Sequence, residues 1–416
     1  MRLNVTSILF AFSLILSIQL LTAQVINPVL AGMSAERLDR YTNYLQQEIN
    51  AGNAPGFVSM AYRNGYLAHY EALGYSNVDY RKVMIADNIF FIQSMTKAVV
   101  STAFMMLYEE GHFQLNDPVY WYLPEFQNSR VALDPTESKK GDTELAKGPI
   151  RIIHLLTHNS GLSHGLGASQ LDQDYMQALY TDQPVTIAER VQAMASLPLI
   201  GHPGERWYYS ASQEVLSRLV EHFSGMTTSE FLQKRLFDPL GMEDTGYNLD
   251  EAKHDRVVTL HTYNKEGRMV LSPEQTPKTG NTVFGGVNGL FSTAGDYLKF
   301  CRLFLENGKA MNGTQLLSPK TIDLMGQNHV SDLYQSPGYG FGLGFDVITN
   351  LAETKSLGSV GQLSWIGAFQ TFFFIDPAEN LAAVLMTQID PYDGFYGRKM
   401  SHLYINRLLI NTEILH

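Results

Sequence analysis

Cysteine, basic runs and long apolar stretches are all scarce in this chain of 416 residues. The one cysteine, Cys301, has no partner for an internal disulfide, so the fold must rest on its core whatever the redox compartment. Its setting, residues 297–305, follows an amphipathic helical pattern, which predicts a packed, inert thiol. The formal charge is −11. With no basic run to set against it, nucleic acid is excluded as a partner. The longest uncharged stretch, residues 8–21, is interrupted by Ser13, Ser17 and Gln19 and is too short for a good bilayer span. Preceded by Arg2 and followed by Leu21-Thr22-Ala23, it predicts a secretory signal over residues 1–23, cleaved after Ala23. Export to the periplasm or the medium is therefore expected, with no lipid anchor and no integral membrane segment after cleavage. Loss of the single positive charge of Arg2 takes the −11 to −12.

What remains, residues 24–416, belongs to a chain that is 45% hydrophobic, enough for a large core. Length alone suggests two or three domains, yet no repeat or low-complexity linker divides the chain. One catalytic unit carrying an insertion fits better. Residues 34–50 show helical spacing of Leu38, Tyr41, Tyr44 and Leu45, with Ser34 at the N-cap. Residues 57–62 and 66–73 read as a hairpin around Arg63-Asn64-Gly65. At the other end, residues 369–375 and 381–388 read as strands and 395–409 as a helix, so the two ends should complete one sheet. Between them lie helical patterns at 187–194, 213–223 and 228–237, and a charged stretch at 133–148 that reads as a solvated loop. The expected layout is a sheet part at about 34–112 and 313–416, with a mostly helical insertion at about 113–312. A cleft between the two would suit a substrate.

The chemistry starts at Ser94-Met95-Thr96-Lys97. On a helix, positions three apart share one face, so an amine stands beside a hydroxyl. About one S-x-x-K is expected by chance in a chain of this kind, and Ser94 as a plain N-cap with Lys97 on the surface is the bland alternative. The surrounding residues 89–93 and 98–107 are apolar almost all round, which predicts a buried helix. A buried amine must find a partner or lower its pKa, and a depressed lysine can act as a base.

Several stretches extend the pattern: Gly111-His112-Phe113-Gln114-Leu115-Asn116-Asp117-Pro118-Val119, His154-Leu155-Leu156-Thr157-His158-Asn159-Ser160-Gly161-Leu162, Pro203-Gly204-Glu205-Arg206-Trp207-Tyr208-Tyr209-Ser210, Phe237-Asp238-Pro239-Leu240-Gly241-Met242 and Gly289-Leu290-Phe291-Ser292-Thr293-Ala294. Together, in this order and from about Leu38 onward, they resemble the serine β-lactamase-like hydrolases. That family includes class C β-lactamases, family VIII carboxylesterases, DD-peptidases and D-aminopeptidases. The resemblance implies an α/β (α+β) fold of β-lactamase/transpeptidase type, with an antiparallel sheet flanked by helices. It implies no metal or other cofactor, and a small acyl compound as substrate; the oligomeric state stays open.

By the same resemblance Ser94 matches the acylated nucleophile, Lys97 its partner and Tyr209 the second-motif tyrosine, with Tyr208 as the neighbour to be distinguished. Ala211 stands where lactamases carry an asparagine that contacts both lysine and substrate. Lys278-Thr279-Gly280 spells the lactamase third motif but sits in a polar stretch only 69 residues past Tyr209 and reads as a loop. Trp365-Ile366-Gly367-Ala368 occupies the motif's place, leading into the strand at 369–375, and resembles the W-x-G form of some esterases. The Ala368 N–H of an edge strand and the Ser94 N–H would then form the oxyanion hole, and Trp365, Ile366 and Gly367 would contact substrate. Trp365 offers an apolar face where a cation would hold a β-lactam carboxylate. The expectation is an exported esterase. The alternatives are a lactamase or DD-peptidase/D-aminopeptidase, and a binding or sensor protein that keeps the fold without turnover.

His154 and His158 are four apart, as zinc ligands on a helix would be, but lack the glutamate that a metalloprotease helix carries, and read as structural. The alternating glycines at 338–344 read as a strand with close backbone packing and not as a phosphate loop.

Overall fold

The protein is described by a computed structural model covering residues 26–391 apart from 138 and 183. The expected signal segment and the expected helix at 395–409 lie outside the described residues. Helix α1, Ala35–Asn50, opens on Ser34, whose hydroxyl accepts from the Arg37 N–H. Strands β1, Gly56–Arg63, and β2, Tyr66–Asn77, form the expected hairpin. Its turn places Asn64 and Gly65 at φ 50° and 90°, the left-handed pair that a two-residue hairpin favours. A short strand β3, Lys82–Val83, pairs with β2. Next come β4, Ile89–Phe91, helix α2, Thr96–Glu109, helix α3, Ser212–Ser224, strand β5, Phe291–Thr293, and helix α4, Ala294–Leu305. Helix α3 stops where Gly225 takes a left-handed φ of 67°.

The C-terminal half adds β6, Tyr339–Phe341, β7, Asp346–Ile348, β8, Leu363–Ile366, β9, Phe372–Asp376, and β10, Leu381–Met386. With the first three strands they build an eight-stranded sheet in the order β6-β7-β8-β9-β10-β1-β2-β3. The two ends of the chain meet at the antiparallel β1–β10 pair, Val58 opposite Met386. Alternation along each strand splits the core. Phe57, Ala61, Phe372, Phe374 and Leu385 face α1, whereas Val58, Tyr62, Phe373, Ile375 and Val384 join the larger cluster with α2 and α4.

Four details differ from the sequence reading. The glycine-rich segment is not one strand but the β6–β7 hairpin, folded back because Gly342 and Gly344 fit where a Cβ would come within 2.3 Å of the Met325 carbonyl and 2.5 Å of the Ser101 Cβ. The strand expected from 369 starts at Phe372, since the Gly367 N–H donates to the Thr371 carbonyl (2.9 Å) and Gln370 turns at φ 71°. Part of the expected loop at 133–148 is ordered, with residues 143–145 paired to 130–132. Helix α4 falls inside the expected insertion, yet it packs on β1, β9 and β10 and so belongs with the sheet.

Burial raises the pKa of three carboxyls in this sheet, Glu71, Asp346 and Asp376. Asp346 on β7 bonds the Ser364 hydroxyl at 2.5 Å, and burial pushes its pKa up to about 7. Its neutral form is favoured by folding, so stability should fall as pH rises through the window from 3.8 to about 7 and stay low above it. Asp346→Asn should therefore melt close to wild type at about pH 4 and above it at about pH 8, as thermal unfolding at both pH values will show.

Candidate active site

The serine is set by a strand-to-helix junction. Strand β4 pairs with β5, and the Ile92 N–H then donates to the Leu290 carbonyl at 3.0 Å. Gln93 turns the chain at φ 47°, and Ser94 sits in a single 3-10 turn, Gln93–Met95, that feeds α2. The Tyr297 hydroxyl donates to the Met95 carbonyl at 3.0 Å, tying α4 to this turn. Lys97 lies in the first turn of α2 and is only 1% exposed. The helix around it is buried from Thr96 to Leu107, as the apolar sequence predicts.

Tyr209 approaches from the segment before α3. That segment is clamped to residues 158–163: the Tyr208 N–H donates to the His158 carbonyl (2.8 Å), the Ser210 N–H to His158 Nδ1 (3.1 Å) and the Ala211 N–H to the Ser163 carbonyl (3.1 Å). The tyrosines thereby diverge. The Tyr209 hydroxyl donates to Ser94 Oγ at 2.8 Å, while the Tyr208 hydroxyl reaches Asp172 at 3.4 Å. Lys97 Nζ lies 3.2 Å from Ser94 Oγ and 4.7 Å from the Tyr209 ring centroid. Ser94, Lys97 and Tyr209 are thus brought into one hydrogen-bonded cluster.

Burial lowers the Lys97 pKa well below its usual value, with the nearby Glu214 carboxylate opposing the shift. Glu214 is itself buried beside Arg190 (3.5 Å) and accepts from the Val287 N–H at 3.4 Å. The Val287 carbonyl accepts from Lys97 Nζ at 3.0 Å. A neutral amine with a lone pair free to accept from Ser94 is the state this setting favours.

The third motif is divided by the pleat. Trp365 faces the Ser94 side, 9% exposed and packed against Tyr209, Phe341 and His158 with ring centroids 5.7, 5.4 and 6.3 Å away. Ile366 points to the opposite face and packs on the core under α1, so the structure does not bring it to Ser94. Gly367 comes so close to the serine turn that a Cβ there would lie 2.5 Å from the Ile92 carbonyl. Ala368 is exposed in the turn that follows β8. Strand β8 is third from the sheet edge, not the edge strand expected; only Leu363 and Ser364 pair with β7, so its outer side is open beyond them.

Residues 278–280 are a loop with Lys278 Nζ donating to the His254 carbonyl. Thr279 and Gly280 help line a cavity of about 260 Å³ that also takes in Phe91, Asn288 and Arg190. His154 Nδ1 accepts from the Arg151 N–H in a helix cap, and His158 holds the tyrosine segment. Cys301 is buried and free, and burial raises its thiol pKa. Sequence reasoning missed His164, the Val287 carbonyl, Glu214 and the ring of Trp207 and Phe341 around Tyr209. None has a spacing rule that would announce it.

A helix-borne serine and lysine facing a tyrosine beneath an antiparallel sheet is the layout of a serine hydrolase. The chain belongs to the beta-lactamase family, whose profile matches residues 41–401. It is 32% identical to the uncharacterized protein MT1414 of Mycobacterium tuberculosis, over 85% of this chain and 90% of that one. It is 26% identical to the esterase EstB of Burkholderia gladioli, over 91% and 97%. The fold matches the solved structure of EstCE1, a hydrolase with promiscuous acyltransferase activity, at a TM-score of 0.76, 24% identity and 88% and 97% coverage.

Because a Cβ at Gly367 would meet the Ile92 carbonyl at 2.5 Å, Gly367→Ala should push the end of β8 away from the serine turn. Hydrolase turnover is expected to drop by about 100-fold, the scale seen when one transition-state donor is displaced, measured as kcat beside a Tm control.

Proposed function

We propose that this protein is an exported carboxylesterase that works through an acyl-enzyme on Ser94. The observation that carries the reading is the convergence of Lys97 Nζ and the Tyr209 hydroxyl on one serine oxygen, at 3.2 and 2.8 Å. The neutral Lys97 amine takes the Ser94 proton as the oxygen attacks an ester carbonyl. The carbonyl oxygen gains charge opposite the Ser94 and Ala368 amides, where fixed donors contribute most. Tyr209, in contact with Ser94 and over the amine, passes the proton to the leaving alcohol. Water, or a second alcohol, then takes the acyl group by the reverse route.

The surroundings favour uncharged substrates. Trp365 supplies a hydrophobic wall where a lactamase would place a cation, and Ala211 supplies no amide. The esterase EstB supports the ester reading over the lactam one. Removal of residues 1–23 on export would leave a mature chain starting at Gln24, which N-terminal sequencing of the exported protein can check. Among the described residues no helix is long and apolar enough to cross a membrane.

A fluorophosphonate should label the purified protein at Ser94 and leave Ser94→Ala unlabelled. Short-chain nitrophenyl esters should be turned over, with Tyr209→Phe slower by about 100-fold or more, the scale of a lost proton-transfer group. Turnover of a chromogenic cephalosporin without any of nitrophenyl esters would contradict the proposal.

A further inference from the structure

The amine of Lys97 has a third neighbour that no motif assigns. His164 Nε2 lies 3.4 Å from Lys97 Nζ, and its ring stacks on Tyr209 with centroids 4.7 Å apart and planes 18° from parallel. The imidazole is only 6% exposed, and its Nδ1 has no hydrogen-bond partner. It is held on both sides: the Ser163 hydroxyl donates to Asp172 at 2.5 Å and accepts from the Gly165 N–H at 2.9 Å. Gly165 turns at φ 80° so close to Met176 that a Cβ would lie 2.7 Å from its nitrogen. This loop has one purpose-built consequence, an imidazole aimed at a buried amine.

A neutral amine has two N–H donors and one lone pair. The Val287 carbonyl takes one donor. If the lone pair is to receive the Ser94 proton, the other donor needs an acceptor. The residue that offers a carbonyl oxygen in the lactamase second motif is absent, since Ala211 stands there and is fully buried. His164 Nε2 is the side-chain acceptor within reach, with the imidazole proton then on Nδ1. Burial, and then the neighbouring Lys97, hold the imidazole pKa well below its usual value, so the ring stays neutral and Nε2 can accept.

Building on the acyl-enzyme reading above, we propose that His164 is a positioning residue that replaces the missing second-motif amide, accepting from Lys97 so that the amine's lone pair faces Ser94. The charged and titratable groups around it are Lys97, Tyr209, His158, Glu214 and Asp172. Tyr209 and His158 contact it or its neighbour through rings, Asp172 anchors its loop, and Glu214 acts on the far side of Lys97. At acid pH the first proton taken up by the site is shared between Lys97 and His164. Without the imidazole one of the two sites and an acceptor for the ammonium are gone, so the acid limb of kcat/KM moves to lower pH.

The experiment compares His164→Phe, His164→Gln, Ser94→Ala and wild type on a nitrophenyl ester across pH, with Tm for each. Phenylalanine keeps the stack on Tyr209 but accepts nothing, and should cut kcat/KM by about 10- to 100-fold with Tm unchanged. Glutamine offers an oxygen that does not titrate, and should recover most of that loss while still moving the acid limb down. If phenylalanine fails to fold, the glutamine variant alone carries the test through its pH profile. Wild-type rates and an unmoved acid limb in both variants would overturn the role of His164 and leave the Ser94 reading standing. Equal losses in both variants with the limb unmoved would mean packing only, and would also overturn it. Full turnover by Ser94→Ala would instead sink the acyl-enzyme reading itself.

Discussion

The site depends on keeping one amine out of water beside one hydroxyl. Lys97 is 1% exposed, and transfer of an ammonium into such a place costs several kcal/mol unless it is paired or gives up its proton. Much of the local architecture meets that constraint. Helix α2 is apolar on nearly every side, the Val287 loop turns a carbonyl inward, and Glu214 offsets part of the desolvation from behind that loop. Burial therefore favours the neutral amine, and the tyrosine and the serine turn are placed around it.

The same arrangement accounts for the character of the cleft. His158, His164, Trp207 and Trp365 crowd around Tyr209 with ring centroids within 6.5 Å, and Phe341 packs behind them on His158, Trp207 and Trp365. Such a wall holds the phenol in one position by shape, against the Ser94 hydroxyl and beside the Lys97 amine. In a lactamase-like site, charge and amide groups would hold the substrate instead; here Ala211 and Trp365 remove both. Retained nucleophile chemistry with altered recognition is how one fold serves esters, lactams and peptides.

Features carried by local pattern could be read from the sequence. Helix α1 with its Ser34 cap, the Asn64-Gly65 hairpin and the buried helix after Ser94 all follow from spacing and turn chemistry within a few residues. The meeting of Ser94 with Tyr209, 115 positions later, came from resemblance and not from periodicity. Features decided by long-range contact could not be read. Whether Trp365 or Ile366 faces the serine depends on where β8 begins, and the sequence reading put the motif before the strand instead of within it. The glycines at 338–344 looked like one strand because the bend at 342–344 is forced by Met325 and Ser101, distant in sequence. His164 was unreadable for the same reason: nothing near it in the chain says that an amine 67 residues earlier will lie against it.

The central claim is that Lys97 is an uncharged base in the resting protein. It is most directly tested by following the Lys97 side-chain carbon and nitrogen resonances through a pH titration of the selectively labelled protein, with Lys97→Arg to assign them. The buried amine should titrate well below the usual lysine value of 10.5. An ammonium that persists to about pH 10, as in an exposed lysine, would contradict it.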